Sequence, residues 1–360
     1  MIDRRQLMLG GLAASLMPAA ALAGKGSPLD ATIDAFIAEN QFHGVIVMAR
    51  DGRITLARTF GYADVAAKRA TTRATVYGIA SISKWLTTVT LLKLIEAGKL
   101  RLDSPLIELL PDYRPDTGAR VTLAHLLSNT SGIPNGFIAA ARLDPTLVTT
   151  DLGTAESVRR FCRGDLAFEP GGKFDYAMTN WFLIVAIVER LTGKPFQEAM
   201  RAITLDPLGL SHTRADAAAP SAPGTATSYR TLDPLVTWPD PRTPVMAAGG
   251  GYFSTAADLI HAAHSVFDMG FLKPESIAAL RTVRVPDQDY SLGGRVRTMT
   301  IAGKPVQAAW ETGRTAGFRS VLGHRYDTRE TVVLLNNTGL SQKTLDLFAD
   351  KLFGAEPRVE

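Results

Sequence analysis

The sequence predicts an α+β fold: an antiparallel sheet built from both ends of the chain and flanked by helices, with a mainly helical region inserted between them. Three observations carry this. β-like runs cluster near the start, in GVIVMAR and RITLARTF, and return near the end, in TMTIAGKPVQAAWETG, GFRSVLGHRYD and ETVVLLNN. Between them, from Leu102 to about Pro241, Pro105, Pro111, Pro115, Pro134 and Pro145 interrupt short apolar-periodic pieces. No repeat of fixed period and no low-complexity tract runs across the division. The expected layout is a signal segment over 1–23, a sheet domain from 24–101 and 242–360, and a helical region over 102–241.

Each element has a local reason. Arg4 and Arg5 precede an apolar stretch from Leu7 to Leu22, and Ala21-Leu22-Ala23 precedes Gly24. That is the layout of a cleavable export signal, and the paired arginines are of the twin-arginine type. Leu29 to Asn40 reads as a short helix. The runs GVIVMAR and RITLARTF flank Asp51-Gly52, a hairpin turn because both residues tolerate positive φ. An apolar run from Leu86 to Leu100 reads as a helix that Gly98 closes. TLAHLLSNTSG and NWFLIVAIVERLTG are helical by spacing, and each ends at a glycine. Residues 216–241, rich in Ala, Pro, Ser and Thr, read as a surface loop. Leu340 to Phe353 closes the chain as a helix.

The chain has 360 residues, 46% hydrophobic and 21% charged, with a net charge of +4. Its length supplies a sizeable core. The basic residues are scattered rather than blocked, which argues against a nucleic-acid partner. The alternative is an N-terminal membrane anchor that is never cut; the apolar start is short for a full span, so a cleaved signal is the reading, with no stable membrane insertion after cleavage. A periplasmic or secreted protein is expected. The single cysteine, Cys162, forms no internal disulfide. Arg159, Arg160 and Arg163 surround it, but a structural thiol is the expectation.

The chemistry centres on ASISKWLT, residues 80–87. Ser81 and Lys84 are three apart, so a helix puts them on one face. At a helix N-terminus a serine has unpaired N–H groups and the positive dipole end beside it. A serine there is a nucleophile with a built-in base if the lysine releases its proton, which burial favours. Taken alone, S-x-x-K is a weak signal that recurs by chance, and Ser81 fits an ordinary N-cap better than a nucleophile; a lysine turned into a core is costly without a partner or a task.

The order of further motifs decides between these. FGYADVA, YGIASISKWLTTVTLLKLIEAGKLRLDSPL, VTLAHLLSNTSGIP, FDYAMTNWFLIVAIVERLTGKPF, DPLGLSHT, AAGGGYFSTAADL, WETGRTAGF and TVVLLNN follow one another across about residues 30 to 350. The series resembles the serine β-lactamase and penicillin-binding protein superfamily, in the branch of class C β-lactamases, D-alanyl-D-alanine carboxypeptidases and related esterases. The resemblance implies a β-lactamase/transpeptidase-like fold. It makes Ser81 the acylated nucleophile, with Lys84 accepting or relaying its proton. Tyr176 would be the tyrosine of a Y-x-N element, a general acid and base beside the leaving group. The backbone N–H groups of Ser81 and Arg314 would form the oxyanion hole. No cofactor is implied, and the partner is a small-molecule or peptide substrate. Nothing in the sequence fixes the oligomeric state.

Two positions depart from the family pattern. The Y-x-N element reads Tyr176-Ala177-Met178, and a methionine cannot supply the amide of the family's asparagine. The K-T-G element reads Glu311-Thr312-Gly313, which puts an acid where the family has a cation. A charged Glu311 is expected to repel a substrate carboxylate by about 1 kcal/mol or more, with Arg314 or Arg319 available to restore positive charge. A second expectation pairs Glu311 with Lys84 or another cation. The predicted function is therefore an exported serine hydrolase, esterase- or peptidase-like rather than an efficient β-lactamase. The alternatives are a catalytically weak relative that binds cell-wall peptides or a partner, a true class C-like β-lactamase or carboxypeptidase, and an acyltransferase. His261 and His264 have zinc-compatible spacing on a helix, but no third ligand is evident. His125 reads as a packing or capping residue. Gly249 to Gly251 read as a close backbone approach to the active-site sheet, and Trp181 and Phe182 as core.

Overall fold

The structure is a computed structural model that describes residues 27–215 and 221–357. The signal segment lies outside the described residues. The chain enters through helix α1 (Pro28–Glu39), capped by Ser27, and passes to the hairpin β1 (Gly44–Arg50) and β2 (Arg53–Phe60). Asp51 and Gly52 at its turn have φ of 49° and 71°. Short strands β3 (Tyr62–Asp64), β4 (Arg69–Ala70) and β5 (Tyr77–Gly78) lead into α2 (Ile82–Glu96). The helical region holds α3 (Leu106–Leu109), α4 (Pro115–Gly118), α5 (Leu123–Leu127), α6 (Gly136–Leu143), α7 (Gly153–Phe161), α8 (Met178–Thr192) and α9 (Phe196–Met200). Then come β6 (Tyr229–Leu232), β7 (Leu235–Thr237), β8 (Phe253–Ser254), α10 (Ala256–Phe267) and α11 (Pro274–Arg281). Strands β9 (Arg295–Ile301), β10 (Lys304–Thr315), β11 (Phe318–Arg325) and β12 (Glu330–Asn336) precede the closing helix α12 (Gln342–Leu352).

The main sheet has six antiparallel strands in the order β2-β1-β12-β11-β10-β9. β1 pairs with β12, Val47 opposite Val333, which joins the two ends of the chain. Side chains alternate between faces along a strand. Val45, Val47, Val333 and Leu335 enter the core that holds α2 and α10, whereas Ile46, Val332 and Leu334 pack with Ile33, Phe36, Leu345 and Phe348 of α1 and α12. Both faces are covered, so these strands read as continuous apolar runs.

Helix α2 is buried from Ile82 to Leu92, and a helix apolar on every side belongs inside a core. Its threonines are satisfied by carbonyls: Thr88 donates to Lys84 at 2.9 Å, and Thr87 to Ala248 at 3.1 Å. α8 ends at Gly193 with φ 66°, as its sequence requires.

Three expectations need correction. TMTIAGKPVQAAWETG is not one run: Ala302 and Gly303, with φ of 50° and 72°, turn it into the β9–β10 hairpin. TLAHLLSNTSG is helical only to Leu127, because Asn129 turns left-handed at φ 55°. The stretch read as a loop over 216–241 contains the hairpin β6–β7, whose β-branched and aromatic residues flank Asp233-Pro234. Among the described residues no helix is long and apolar enough to cross a membrane.

Candidate active site

The site is assembled where the N-terminus of α2 meets the free end of β10. The turn before α2 is held from both sides. Ala80 adopts φ 45°, a conformation that an alanine keeps only where its surroundings enforce it. They do so here: the Ala80 carbonyl accepts from the Ser83 N–H at 3.0 Å and from Ser83 Oγ at 2.6 Å. Ser83 Oγ in turn accepts from the Tyr252 N–H at 3.1 Å. The Ile79 carbonyl accepts from Ser320 Oγ at 3.1 Å on β11.

Ser81 sits at the N-cap position but makes no side-chain cap, so its hydroxyl is not spent on the helix. Tyr176 O–H donates to Ser81 Oγ at 2.7 Å, and Lys84 Nζ donates to it at 3.3 Å. Lys84 is 1% exposed. Its Nζ also donates to the Gly249 carbonyl and lies 4.7 Å from the Tyr176 ring centroid and 5.3 Å from that of Trp181. Two aromatic faces and a carbonyl therefore surround Lys84 Nζ and fix it beside Ser81. Tyr176 is 41% exposed, just ahead of α8, with its ring 6.4 Å from that of Tyr290.

Gly313 explains how the strand comes near. A Cβ there would lie 2.2 Å from the Ile79 carbonyl oxygen, so only glycine lets β10 pass the turn before α2. Ala80, Ser81, Met178, Arg242, Met246, Gly249, Gly250, Arg314 and Thr315 line a cavity of about 70 Å³ beside the nucleophile. Ser81 and Arg314 thus share one cavity. Among the described residues Arg314, exposed, makes no ion pair.

Of the residues singled out from sequence, Ser81, Lys84 and Tyr176 come together, and Met178 and Arg314 join them around the cavity. Thr312 does not: it lines a separate groove with Trp310, Arg295 and Gln342. Glu311 does not line the cavity either. It is 4% exposed, with its carboxyl against Gly294, where a Cβ would meet Oε1 at 2.0 Å. Burial pushes its pKa well above the usual carboxylate range, and the Arg295 charge opposes this only in part. A buried carboxyl without a paired cation is favoured as the neutral acid. The expected negative charge beside the substrate is therefore corrected. So is the pairing with Lys84: among the described residues no ion pair reaches Glu311.

Sequence reasoning missed the Gly249 carbonyl. The glycines were expected to approach the sheet, but the segment 247–251 packs on α2 and α8; a Cβ on Gly249 would lie 2.6 Å from Met178 Sδ. Asn180 faces away, bonded to Ser131 Oγ at 2.6 Å and to Asn129 at 3.2 Å. His125 caps α5 together with Thr122. His264 pairs with Asp268 at 2.8 Å, and His261 is exposed. Among the described residues no cluster of acids, histidines or cysteines is arranged to hold a metal. Cys162 is fully buried, and burial pushes its thiol up.

A family model described as Beta-lactamase matches residues 29–351. The chain belongs to the beta-lactamase family. Esterase EstB of Burkholderia gladioli is 32% identical over 216 residues, which span 55% of this chain and 54% of EstB. The chain thus spans about half the length of this curated relative. The octameric penicillin-binding protein homologue of Pyrococcus abyssi superposes with a TM-score of 0.77 at 27% identity, covering 91% of this chain and 77% of that one. A penicillin-binding protein of Bacillus halodurans superposes with a TM-score of 0.76 at 24% identity, covering 91% and 100%. The α+β architecture read from the sequence is the fold of these structures.

Proposed function

We propose that this protein is a serine hydrolase that cleaves an ester or amide bond through an acyl-enzyme on Ser81, in the manner of an esterase or peptidase rather than an efficient β-lactamase. One observation carries the reading: the Ser81 hydroxyl, free of capping duty, is held between Tyr176 O–H and Lys84 Nζ at the edge of a cavity. With Lys84 as the neutral amine, Ser81 Oγ attacks the carbonyl carbon and its proton passes to Lys84 Nζ, directly or relayed through Tyr176 O–H, which takes the serine proton as it gives its own to the amine. The Ser81 and Arg314 N–H groups hold the oxyanion. The proton returns to the leaving group as the old bond breaks, and water then attacks the acyl-enzyme by the reverse route. EstB, by its name an esterase, supports this reading.

The substrate preference rests on what is missing. A buried neutral Glu311 offers no cation to a substrate carboxylate, and Met178 offers no amide to an acyl side chain. Esters or amides without those groups lose least. The segment from Arg4 to Ala23 further supports export, to the periplasm or outside the cell.

The test is the intact mass of the protein after brief exposure to an activated neutral ester and, separately, to a penicillin, with Ser81→Ala beside it. The expected result is an acyl adduct from the ester that Ser81→Ala does not form, and slow or no adduct from the penicillin. Rapid penicillin turnover would make it a true β-lactamase. A folded protein that forms no adduct and turns nothing over would instead be a binding relative.

A further inference from the structure

The strand side of the site lacks a neighbour. β10 pairs with β9 only as far as Trp310, opposite Arg295. Beyond it, Glu311 to Thr315 are laddered to β11 alone. An oxyanion donor on such an edge needs support, because a displacement of about 1 Å in a catalytic group costs on the order of a hundredfold in rate. The residue after Arg314 has that support. Thr315 Oγ1 donates to Asp240 Oδ1 at 2.7 Å, and Arg242 Nη2 donates to Asp240 Oδ2 at 2.6 Å. Arg242 also donates to Thr315 Oγ1, which closes a triangle.

We propose that Asp240, Arg242 and Thr315 form a clamp that positions the Arg314 N–H for the transition state; this rests on the acyl-enzyme reading above. The placement argues for it. Arg242 and Thr315 line the same cavity as Ser81 and Arg314. The segment that carries Asp240 and Arg242 runs on to Gly249, whose carbonyl accepts from Lys84 Nζ. One stretch of chain therefore ties the strand-side donor to the lysine. The pair is also a costly way to hold a loop. Burial pushes the Asp240 carboxyl up and the Arg242 guanidinium down, each opposed by the other's charge. Buried ion pairs are commonly no more stabilising than apolar residues of the same volume. Stability alone does not account for this one, whereas its place beside the oxyanion donor does.

Thr315→Val removes the hydroxyl at nearly constant volume, and Thr315→Ser keeps it. Three quantities read the clamp: kcat and KM on an activated neutral ester, affinity for an arylboronic acid, and the unfolding midpoint. The boronate forms a tetrahedral adduct on serine whose oxygen occupies the oxyanion position. Thr315→Val is expected to lower kcat about ten- to a hundredfold, with KM unchanged and boronate affinity reduced by a similar factor. Thr315→Ser is expected to stay near wild type. Asp240→Asn keeps the shape, gives a smaller loss in the same direction, and serves if Thr315→Val does not fold. A folded Thr315→Val with wild-type kcat and boronate affinity overturns the clamp. So do equal losses in Val and Ser variants that follow the unfolding midpoint, which would mark packing alone. If Ser81→Ala turns over the ester as well as wild type does, the acyl-enzyme reading falls, and the clamp with it.

Discussion

The helix that carries Ser81 and Lys84 is buried along its first three turns, whereas the strand that carries Arg314 has lost one neighbour and lies at an edge. On the helix side, position comes from packing: Ala80 is forced into a left-handed conformation by Ser83, Tyr252 and Ser320. On the strand side it comes from a few polar contacts to residues some seventy positions away in sequence, Asp240 and Arg242. The two sides also place their ionisable groups differently. Lys84 Nζ is held by aromatic faces and a carbonyl within reach of Ser81, while the Glu311 carboxyl is buried outside the cavity and, among the described residues, no ion pair reaches it. The comparison teaches that the base beside the nucleophile comes from the helix, and that β10 contributes a backbone donor together with the side chain that braces it.

The largest expected effect tests the helix side. Lys84→Met keeps the volume and removes the amine. Turnover of an activated ester is expected to fall by about 10²–10⁴. Stability is expected to hold or rise, because a buried polar group is costly and an apolar side chain of similar size removes that cost. Paired measurements of kcat and the denaturation midpoint separate the two. Wild-type turnover with lost stability would make Lys84 a structural residue and break the comparison.

Gly249→Ala tests the joint between the sides. The new Cβ would lie 2.6 Å from Met178 Sδ and 3.1 Å from Trp181 Cβ. The methionine can swing away, but Trp181 Cβ is fixed to α8, so the segment must shift and carry its carbonyl off Lys84. A stability loss of about 1–3 kcal/mol is expected, with kcat reduced roughly tenfold. Adding Met178→Ala should restore part of the stability, a non-additive pair in a double-mutant cycle. Strict additivity would mean that Met178 and Gly249 do not press on one another.

What was legible in the sequence follows the same division. Ser81 and Lys84 are three residues apart on one helix, and Tyr176 opens the next long one, so local spacing and motif order name all three. The Asp51-Gly52 hairpin and the Gly193 helix end are equally local. The Gly249 carbonyl is a backbone atom with no residue signature. The Asp240–Arg242–Thr315 triangle joins a turn-rich segment to a strand, and only tertiary pairing reveals it. Glu311 was readable as a residue but not as a charge. Its protonation is set by burial against Gly294, which no count of neighbours in sequence supplies.

Glu311→Gln is the smallest change and bears on that last point. The folded protein holds the Glu311 proton to a pH well above its ordinary value of 4.5. Above that pH the unfolded chain has released the proton and the folded one has not, so the folded state binds more protons. Stability contributed by the neutral acid is thus full below about 4.5 and declines as pH rises toward the folded pKa. For one proton the slope is at most about 1.4 kcal/mol per pH unit. Glutamine has no proton to lose. The stability difference between Glu311→Gln and wild type is therefore expected to move in favour of glutamine as pH rises above that value, while the pH–rate profile on a neutral ester keeps its shape. Chemical denaturation at a series of pH values reads the first, and initial rates read the second. A difference that moves toward glutamate with rising pH would mean that Glu311 is ionised in the folded protein, with Arg295 the nearest cation to hold it. β10 would then carry a buried negative charge outside the cavity that Ser81 shares with Arg314.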